Sequence, residues 1–275
     1  MAQCRSLQLS IISIRENAEN ITVHLDPNKV QSSAKIHDPI AESAAAIADM
    51  ERMQAEYFKE AKAVLEEIIA VPTENDFVTF EIKSVGPIAV TKKYAGVGAS
   101  LVAKIKNTRT PFSIDIGVGD VIVPGQEKRK IPTQLEGFDA PVINTYSLET
   151  TIAEKLDAIL NLMEFSSRMK DYYDIYYLAN KFDFDGAVLT EALRKTFANR
   201  AHSFTVAQFE QILTFDNDDA MQKKWRAFCR KTDIKTDDYS TVLKTIKVFL
   251  EKPFAAAIES REFGDKWSTD NQAWE

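Results

Sequence analysis

Two short charged runs near the middle of the chain contain the residue types that phosphoryl-transfer chemistry uses. The first run is Ala153-Glu154-Lys155, and the second, residues 168–174, reads Arg-Met-Lys-Asp-Tyr-Tyr-Asp. Lysine and arginine neutralise phosphate oxygens, and arginine can hold a phosphate through two parallel hydrogen bonds. Carboxylates bind Mg²⁺ or orient the groups around it. Together, the two runs combine the cations and carboxylates that a phosphate-binding site would require.

The spacing of the apolar residues predicts that the two runs lie on two helices joined by a short polar turn. The first helix has an apolar stripe at helical spacing, and Ser147 has the residue type and position of its N-cap. Ser166 or Ser167 is the expected cap of the second helix. The stripe consists of Leu148, Ile152, Leu156, Ile159, Leu160 and Met163. The side chains expected to be buried in the second helix are Tyr172, Tyr173, Tyr176 and Tyr177.

A further candidate, Asp115, lies upstream on a predicted strand. Strict alternation over residues 112–118 places Phe112, Ile114 and Ile116 on one face and Asp115 on the other. Two more strands are predicted before it, over residues 77–83 and 100–105. A carboxylate that projects from a strand opposite a core face is well placed to bind a metal ion. The alternative is an aspartate that only ends the pleat at a strand edge.

The order and spacing of these motifs resemble the AbiEii/AbiGii family of nucleotidyltransferase toxins of type IV toxin–antitoxin pairs. That family pairs an Ala-Glu-Lys helix with an Arg-x-Lys-Asp-hydrophobic-x-Asp helix, and both patterns are present here. Residues 113–120, which read Ser-Ile-Asp-Ile-Gly-Val-Gly-Asp and are followed by Pro124, are similar to the family's third-carboxylate strand. The resemblance covers about residues 77–254.

The resemblance implies an α+β fold, with a DNA polymerase β-like nucleotidyltransferase sheet domain over residues 1–146 and a helical domain over residues 147–275. It implies transfer of a nucleoside monophosphate from an NTP to an acceptor such as tRNA, with Mg²⁺, in toxin–antitoxin biology or phage defence. A cognate antitoxin is the expected protein partner. By family position, Asp171 and Lys170 would be catalytic, Lys155 and Arg168 would bind the nucleotide, and Asp115 would bind metal.

The first part of the chain departs from the family pattern. Polymerase β-like enzymes carry a Gly-Ser or Lys-Gly-Gly motif and an Asp-x-Asp pair there, whereas the first glycine of this chain is Gly86 and its first hundred residues contain no Asp-x-Asp. The N-terminal part is therefore expected to be incomplete or altered, or the protein has lost transfer activity. A degenerate member would act as a nucleotide- or protein-binding module.

Simpler interpretations of the charged residues stay open. Lys155 would be an exposed helix lysine beside a carboxylate, and Lys170 with Asp174 an i,i+4 surface pair that contributes about 0.3–0.5 kcal/mol. A purely structural helical adaptor would then be the third hypothesis, in which the motifs are coincidental.

Composition narrows the class of protein. A net charge of −7 argues against a protein that coats nucleic acid, although basic clusters occur at residues 104–109, 128–130 and 223–226. The sequence has neither an apolar run long enough to span a bilayer nor a signal-peptide pattern, so a cytoplasmic location with no membrane partner is expected. The spacing of the two cysteines and three histidines argues against a disulfide or a zinc site.

The remaining segments are predicted from local patterns. Short strands are expected over residues 7–14 and 21–25 with a turn at 26–28, and a long helix over residues 40–70. Residues 123–142, rich in proline and glycine, are expected to form the loop between the two domains. Further helices follow, and the last twenty residues are expected to fray.

Overall fold

The computed structural model describes residues 10–17, 20–25, 55–56, 58–71, 77–88, 96–133, 136–137 and 139–275. The chain forms two compact units. One comprises residues 1–120 with 128–145 and contains the main sheet, and the other comprises residues 121–127 with 146–275 and is mostly helical. Strands and helices thus occupy largely separate parts of the chain, and the predicted α+β class is confirmed.

The sheet unit is built on five strands in the order β1-β2-β5-β4-β3. Strand β2 runs parallel to β5, and the other neighbouring pairs are antiparallel. A separate two-stranded sheet pairs β6 with β7. The bounds are β1 Ser10–Asn17, β2 Asn20–Leu25, β3 Val78–Pro87, β4 Val97–Ile105, β5 Thr108–Val118, β6 Glu127–Lys130 and β7 Val142–Thr145.

One face of the five-stranded sheet forms a small apolar core. Alternation along β4 and β5 directs Val97, Ala99, Leu101 and Ile116 to this face, where all four are buried. Helix α1, residues 58–69, covers the face with Ala61 and Leu65. The opposite face therefore receives the alternate residues of the same strands, including Asp115.

Six helices make up most of the second unit. Their bounds are α2 Leu148–Leu162, α3 Met169–Lys181, α4 Gly186–Asn199, α5 Val206–Ile212, α6 Asp219–Thr232 and α7 Tyr239–Ile258. Single 3-10 turns follow α2 and α5. No helix in the described part of the chain is long and apolar enough to cross a membrane.

Helix α2 begins as the sequence predicts. The Ser147 hydroxyl caps the helix by accepting a hydrogen bond from the Thr150 amide at 3.1 Å. Thr150 itself is buried, and its hydroxyl accepts from the Val123 amide at 2.8 Å and donates to the Val123 carbonyl at 3.1 Å. The first turn of α2 thereby fixes the backbone of the segment 121–127 within the helical unit.

Two expectations for α3 are wrong. Neither Ser166 nor Ser167 is its N-cap, because the helix begins after Arg168 and the Ser166 hydroxyl accepts instead from the Arg168 amide. Tyr177 is 47 % exposed rather than buried. The buried face of α3 differs from the expected row of tyrosines. It consists of Met169, Asp171, Tyr172, Ile175, Leu178 and Ala179.

The C-terminal segment does not fray, contrary to expectation. Strand β9, Lys266–Ser268, pairs on one side with β8, Phe184–Asp185, and on the other with β10, Ala273–Trp274. Trp267 is 1 % exposed and donates its indole N–H to the Ala179 carbonyl at 2.8 Å. The two tryptophans that look isolated in the sequence supply the burial that holds this segment in place.

Several predictions from local patterns meet the structure only in part. Strands do form near both N-terminal positions, and residues 58–69 lie within the expected long helix. The turn at 26–28 and the earlier part of that helix lie outside the described residues. The segment 123–142 is not purely a loop, because it contains β6 and the first residue of β7.

Trp267→Ala is expected to lower the free energy of unfolding by about 3–5 kcal/mol, because it empties a buried aromatic site and removes the bond to Ala179. Urea unfolding followed by circular dichroism would measure the change. Tyr177→Ala, which removes an exposed aromatic side chain from α3, is the control and should cost about 1 kcal/mol or less. Equal losses for the two variants would show that the C-terminal strands do not stabilise the unit.

Candidate functional site

The centre of the candidate site is a buried lysine shared by two aspartates. Lys155 lies on α2 with its side chain 5 % exposed, and its Nζ is 3.4 Å from Asp171 Oδ1 on α3. The same Nζ contacts Asp174 Oδ2, one turn further along α3. The two motifs that the sequence places on separate helices are therefore brought together through this one ammonium group.

Two further cations lie on the solvent side of these aspartates. Arg168 places its Nε 2.8 Å from Asp171 Oδ2, and Lys170 places its Nζ 2.7 Å from Asp174 Oδ2. The Arg168 and Lys170 side chains are 41 % and 42 % exposed, whereas those of the aspartates are 3 % and 16 % exposed. Each carboxylate is thus held between the buried lysine and one half-exposed cation.

Burial gives this network a strong energetic constraint. A lone lysine removed from water would lose its proton or destabilise the fold, so it needs opposed charge within contact distance. Asp171 and Asp174 supply that charge, and their own loss of hydration is offset by cations on both sides. The network therefore holds α2 and α3 in a single arrangement, with its half-exposed cations at fixed positions.

This geometry bears on the simpler interpretations of the charged residues. Lys155 does pair with carboxylates, but it does so across two helices and out of solvent, which an exposed helix lysine would not do. Lys170 and Asp174 do form an i,i+4 pair, but Asp174 is shared with Lys155 and mostly buried. The pair is the outer end of a buried network.

Asp115 lies in the sheet unit and lines a cleft of about 390 Å³. The face of the sheet opposite the core carries two cross-strand rows of small or polar residues over β3, β4 and β5. The rows are Ser84, Ser100 and Ser113, then Gly86, Gly98 and Asp115. The backbone of strand β2 pairs with β5 in parallel register, with Asn20 opposite Ser113 and Thr22 opposite Asp115. Small residues on neighbouring strands leave open space beside the carboxylate.

A magnesium site is not assembled by the described residues alone. They contain no group of three or more histidine, cysteine, aspartate or glutamate side chains placed to hold a metal ion. Asp115 is one carboxylate, whereas a two-metal centre uses several carboxylates that bridge or flank both ions. The described donor set therefore does not fit the metal that the family resemblance implies.

A second charged cluster on α2 was missed from the sequence. Arg200, which follows α4, contacts both oxygens of Glu154, and its Nε lies 3.8 Å from Asp157 Oδ2. His202 Nδ1 lies 2.8 Å from Asp157 Oδ1. Glu154 and Asp157 are three residues apart on a helix that is otherwise largely apolar, and that pattern was the available signal.

Burial dominates the titration of Asp157. Desolvation raises the pKa of this carboxyl above its ordinary value, and the neighbouring His202 and Arg200 oppose that rise only in part. The exposed Asp183 shows the opposite shift, because hydrogen bonds from the amide and hydroxyl of Thr269 lower the pKa of its carboxyl.

The two aspartates should contribute opposite pH dependences to stability. A raised folded-state pKa stabilises the protonated form, so the contribution of Asp157 is full below about pH 4 and is lost as the pH rises through its folded pKa. Relative to Asp157→Asn, the wild type should lose stability as the pH rises from about 3 to 7.

Asp183 provides the matched comparison. Its lowered pKa stabilises the ionised form, so the wild type should lose stability relative to Asp183→Asn as the pH falls through the folded pKa. Urea unfolding of the three proteins across that pH range measures both differences. Curves with the same sign for the two variants would contradict the burial argument for Asp157.

Substitution of Lys155 should be far more destabilising than the same change at Lys170. Lys155→Met removes the cation from a buried pair and is expected to cost about 3–5 kcal/mol. Lys170→Met leaves Asp174 paired with Lys155 and should cost about 1 kcal/mol or less. Urea unfolding provides both values, and a double-mutant cycle with Asp171→Asn isolates the Lys155–Asp171 term. Equal costs at the two lysines would refute the buried network.

Comparison with solved structures yields two distant likenesses. JHP933 from Helicobacter pylori is 10 % identical with a TM-score of 0.39, over 90 % of this chain and 80 % of that one. An H. pylori protein described as a candidate nucleotidyltransferase is 12 % identical with a TM-score of 0.37, over 89 % and 81 % of the two chains. No curated protein matches the sequence.

Comparison with protein-family models yields a match over most of the chain. The matching model is that of the nucleotidyl transferase AbiEii toxin of type IV toxin–antitoxin systems, and it aligns with residues 49–259. This span contains Asp115, the buried lysine network and the Glu154 cluster. The chain belongs to the AbiEii nucleotidyltransferase toxin family.

Proposed function

We propose that this protein transfers a nucleoside monophosphate from an NTP to an acceptor such as tRNA, as the toxin of a type IV toxin–antitoxin pair with a role in phage defence. The observation that carries the proposal is the network of Lys155, Asp171 and Asp174 with Arg168 and Lys170 at its solvent side. Family membership supplies the reaction class.

Half-exposed cations are the groups best placed to meet a triphosphate. Arg168 uses its Nε on Asp171, and its terminal nitrogens are available to take phosphate oxygens in a bidentate manner. Lys170 can provide a second positive charge beside it. In the transfer, an acceptor hydroxyl oxygen bonds to the α-phosphorus and releases its proton to solvent. The bond from that phosphorus to the bridging oxygen breaks, and pyrophosphate leaves with the bonding electron pair.

Lys155 and Asp171 also belong to the proposed nucleotide site, and their burial determines their roles. Asp171 contacts both Lys155 and Arg168, so it is suited to orient the two cations. Lys155 reaches a nucleotide only if a phosphate oxygen replaces one of its carboxylate partners. Such an exchange would conserve the local charge balance, because a phosphate oxygen takes the place of a carboxylate oxygen.

Mg²⁺ and the acceptor remain parts of the proposal that rest on the family. Asp115 is the proposed metal carboxylate, with the small-residue rows around it as the open side of a polymerase β-like sheet. Because the described residues do not complete a metal site, no step is assigned to the ion here. A cognate antitoxin is the proposed protein partner.

The alternative is a family member that binds nucleotide or protein without transfer. The described residues favour this alternative, because they place no group of three possible metal ligands around Asp115 for phosphoryl transfer that depends on metal ions. The two functions differ in one observable, the appearance of label from an NTP on an acceptor.

Arg168→Ala is expected to weaken NTP binding by about tenfold or more, since it removes a charge-assisted contact from a half-exposed position. It should also lower the free energy of unfolding, because it removes the ion pair from Oδ2 of the buried Asp171. Isothermal titration with each of the four NTPs measures this effect. Arg261→Ala, which removes an exposed arginine that pairs only locally with Glu259, is the control. Unchanged NTP affinity in Arg168→Ala would exclude this residue from the nucleotide site.

Transfer itself is tested with α-labelled NTPs, Mg²⁺ and total tRNA. Label on tRNA that disappears in Arg168→Ala and Asp115→Asn, but not in Arg261→Ala, supports the proposed enzyme. NTP binding that depends on Arg168 without any label on RNA supports the binding module instead.

A further inference from the structure

Phe165 is the most exposed large apolar side chain in the described part of the chain, at 84 %. It lies in the 3-10 turn Met163–Phe165 between α2 and α3, directly before the motif that begins at Arg168. Single exposed apolar residues are common on protein surfaces. The surroundings of this residue are less ordinary, because the turn is braced and adjoins the cations of the candidate site.

The backbone on both sides of Phe165 is held by a lysine from another helix. Lys224 on α6 donates to the Glu164 carbonyl at 2.8 Å and to the Ser166 carbonyl at 2.9 Å. Ser166 is 1 % exposed and accepts a hydrogen bond from the Arg168 amide through its hydroxyl. The aromatic ring is therefore carried outward on a fixed turn, which lowers the entropy cost of stacking against it.

Positive charge adjoins this turn on α3. Arg168 and Lys170 follow it on α3, each more than two-fifths exposed. Lys224 belongs to the basic cluster at residues 223–226, in which Lys223 and Arg226 are exposed, and the turn itself contains the exposed Glu164. An exposed aromatic ring among cations is the combination by which proteins bind single-stranded nucleic acid.

We propose that Phe165 is a stacking platform for an unpaired base of the acceptor RNA, with the adjoining cations attracting the strand's phosphates. The inference rests on the proposed function, and it names the side of the site that the acceptor approaches. A base of the NTP is the less suitable occupant, because specific mononucleotide pockets are concave and enclose the base. The Phe165 ring offers an open face, which suits a base on a strand that gains further contacts along its backbone.

The test compares two probes with equal backbone charge. One is a short single-stranded oligoadenylate RNA, and the other is an abasic oligomer of the same length with the same sugar-phosphate backbone. Phe165→Ala should weaken binding of the oligoadenylate about tenfold, as expected for loss of one stacked base, and leave the abasic oligomer unaffected. Phe165→Trp should restore the affinity, and the fluorescence of the new indole should be quenched by the oligoadenylate. Val248→Ala, which removes an exposed apolar side chain from α7, is the control.

Three outcomes would overturn the inference. The first is equal binding of both probes by the wild type, and the second is no loss of oligoadenylate affinity in Phe165→Ala. The third is a loss in Phe165→Ala that is confined to NTP affinity, which would assign the ring to the nucleotide. Measuring NTP binding by Arg168→Ala in parallel separates the two proposals. If Arg168→Ala binds NTP more weakly than the wild type while Phe165→Ala has no effect on RNA, only the platform has failed. If Arg168→Ala binds NTP as well as the wild type while the Phe165 effect persists, the nucleotide site has failed and the RNA surface stands.

Discussion

The helical unit depends on one buried ammonium group. Lys155 is 5 % exposed, and Asp171 and Asp174 supply opposed charge that offsets the cost of burying its ammonium group. Each of the two carboxylates also contacts one half-exposed cation of α3. The positions of Arg168 and Lys170 at the surface are therefore set by a charge that solvent scarcely reaches. A rigid shell of this kind is what a site that orients a phosphate requires.

Helix α2 extends the same constraint to three neighbours. Its Thr150 fixes the segment 121–127, its Glu154 and Asp157 engage the residues that follow α4, and its Lys155 engages α3. Thr150, Glu154 and Asp157 are spaced by four and three residues, so they form one polar stripe along α2, while Lys155 lies on a different face. Each of these four side chains has a partner outside the helix. The register of the helix is specified by these pairs as well as by its apolar packing.

Much of this arrangement follows from local sequence patterns. The helical spacing of the apolar residues, the Ser147 cap and the alternation around Asp115 depend on neighbours in the chain, and the structure has each of them. The errors concern tertiary contacts. Tyr177 has the residue type of a core position, yet α3 turns Asp171 inward because a buried lysine on α2 requires it. Trp267 lies in a polar segment, and only its pairing with β8 buries it.

The cluster around Asp157 shows the same limit. Arg200 and His202 lie more than forty residues from their partners, so no pattern within either segment indicates the pairing.

The candidate site was more accessible to prediction because its two motifs are close in sequence and face each other across a single turn. Their burial was not accessible, since nothing in the spacing distinguishes a surface lysine from one enclosed between two helices.

The charge balance of the network argues that it does more than join two helices. Arg168 and Lys170 add two positive charges at the half-exposed side of the network, where each contacts one of the two aspartates. A pair that served only to bury α2 against α3 would need no cation beyond Lys155. The whole chain has a net charge of −7, so these two cations stand against an acidic background. Cations fixed at a half-exposed edge attract a phosphate at short range even on an acidic protein. The electrostatics of this edge therefore suit a phosphate group, which is the ligand that the proposed function requires.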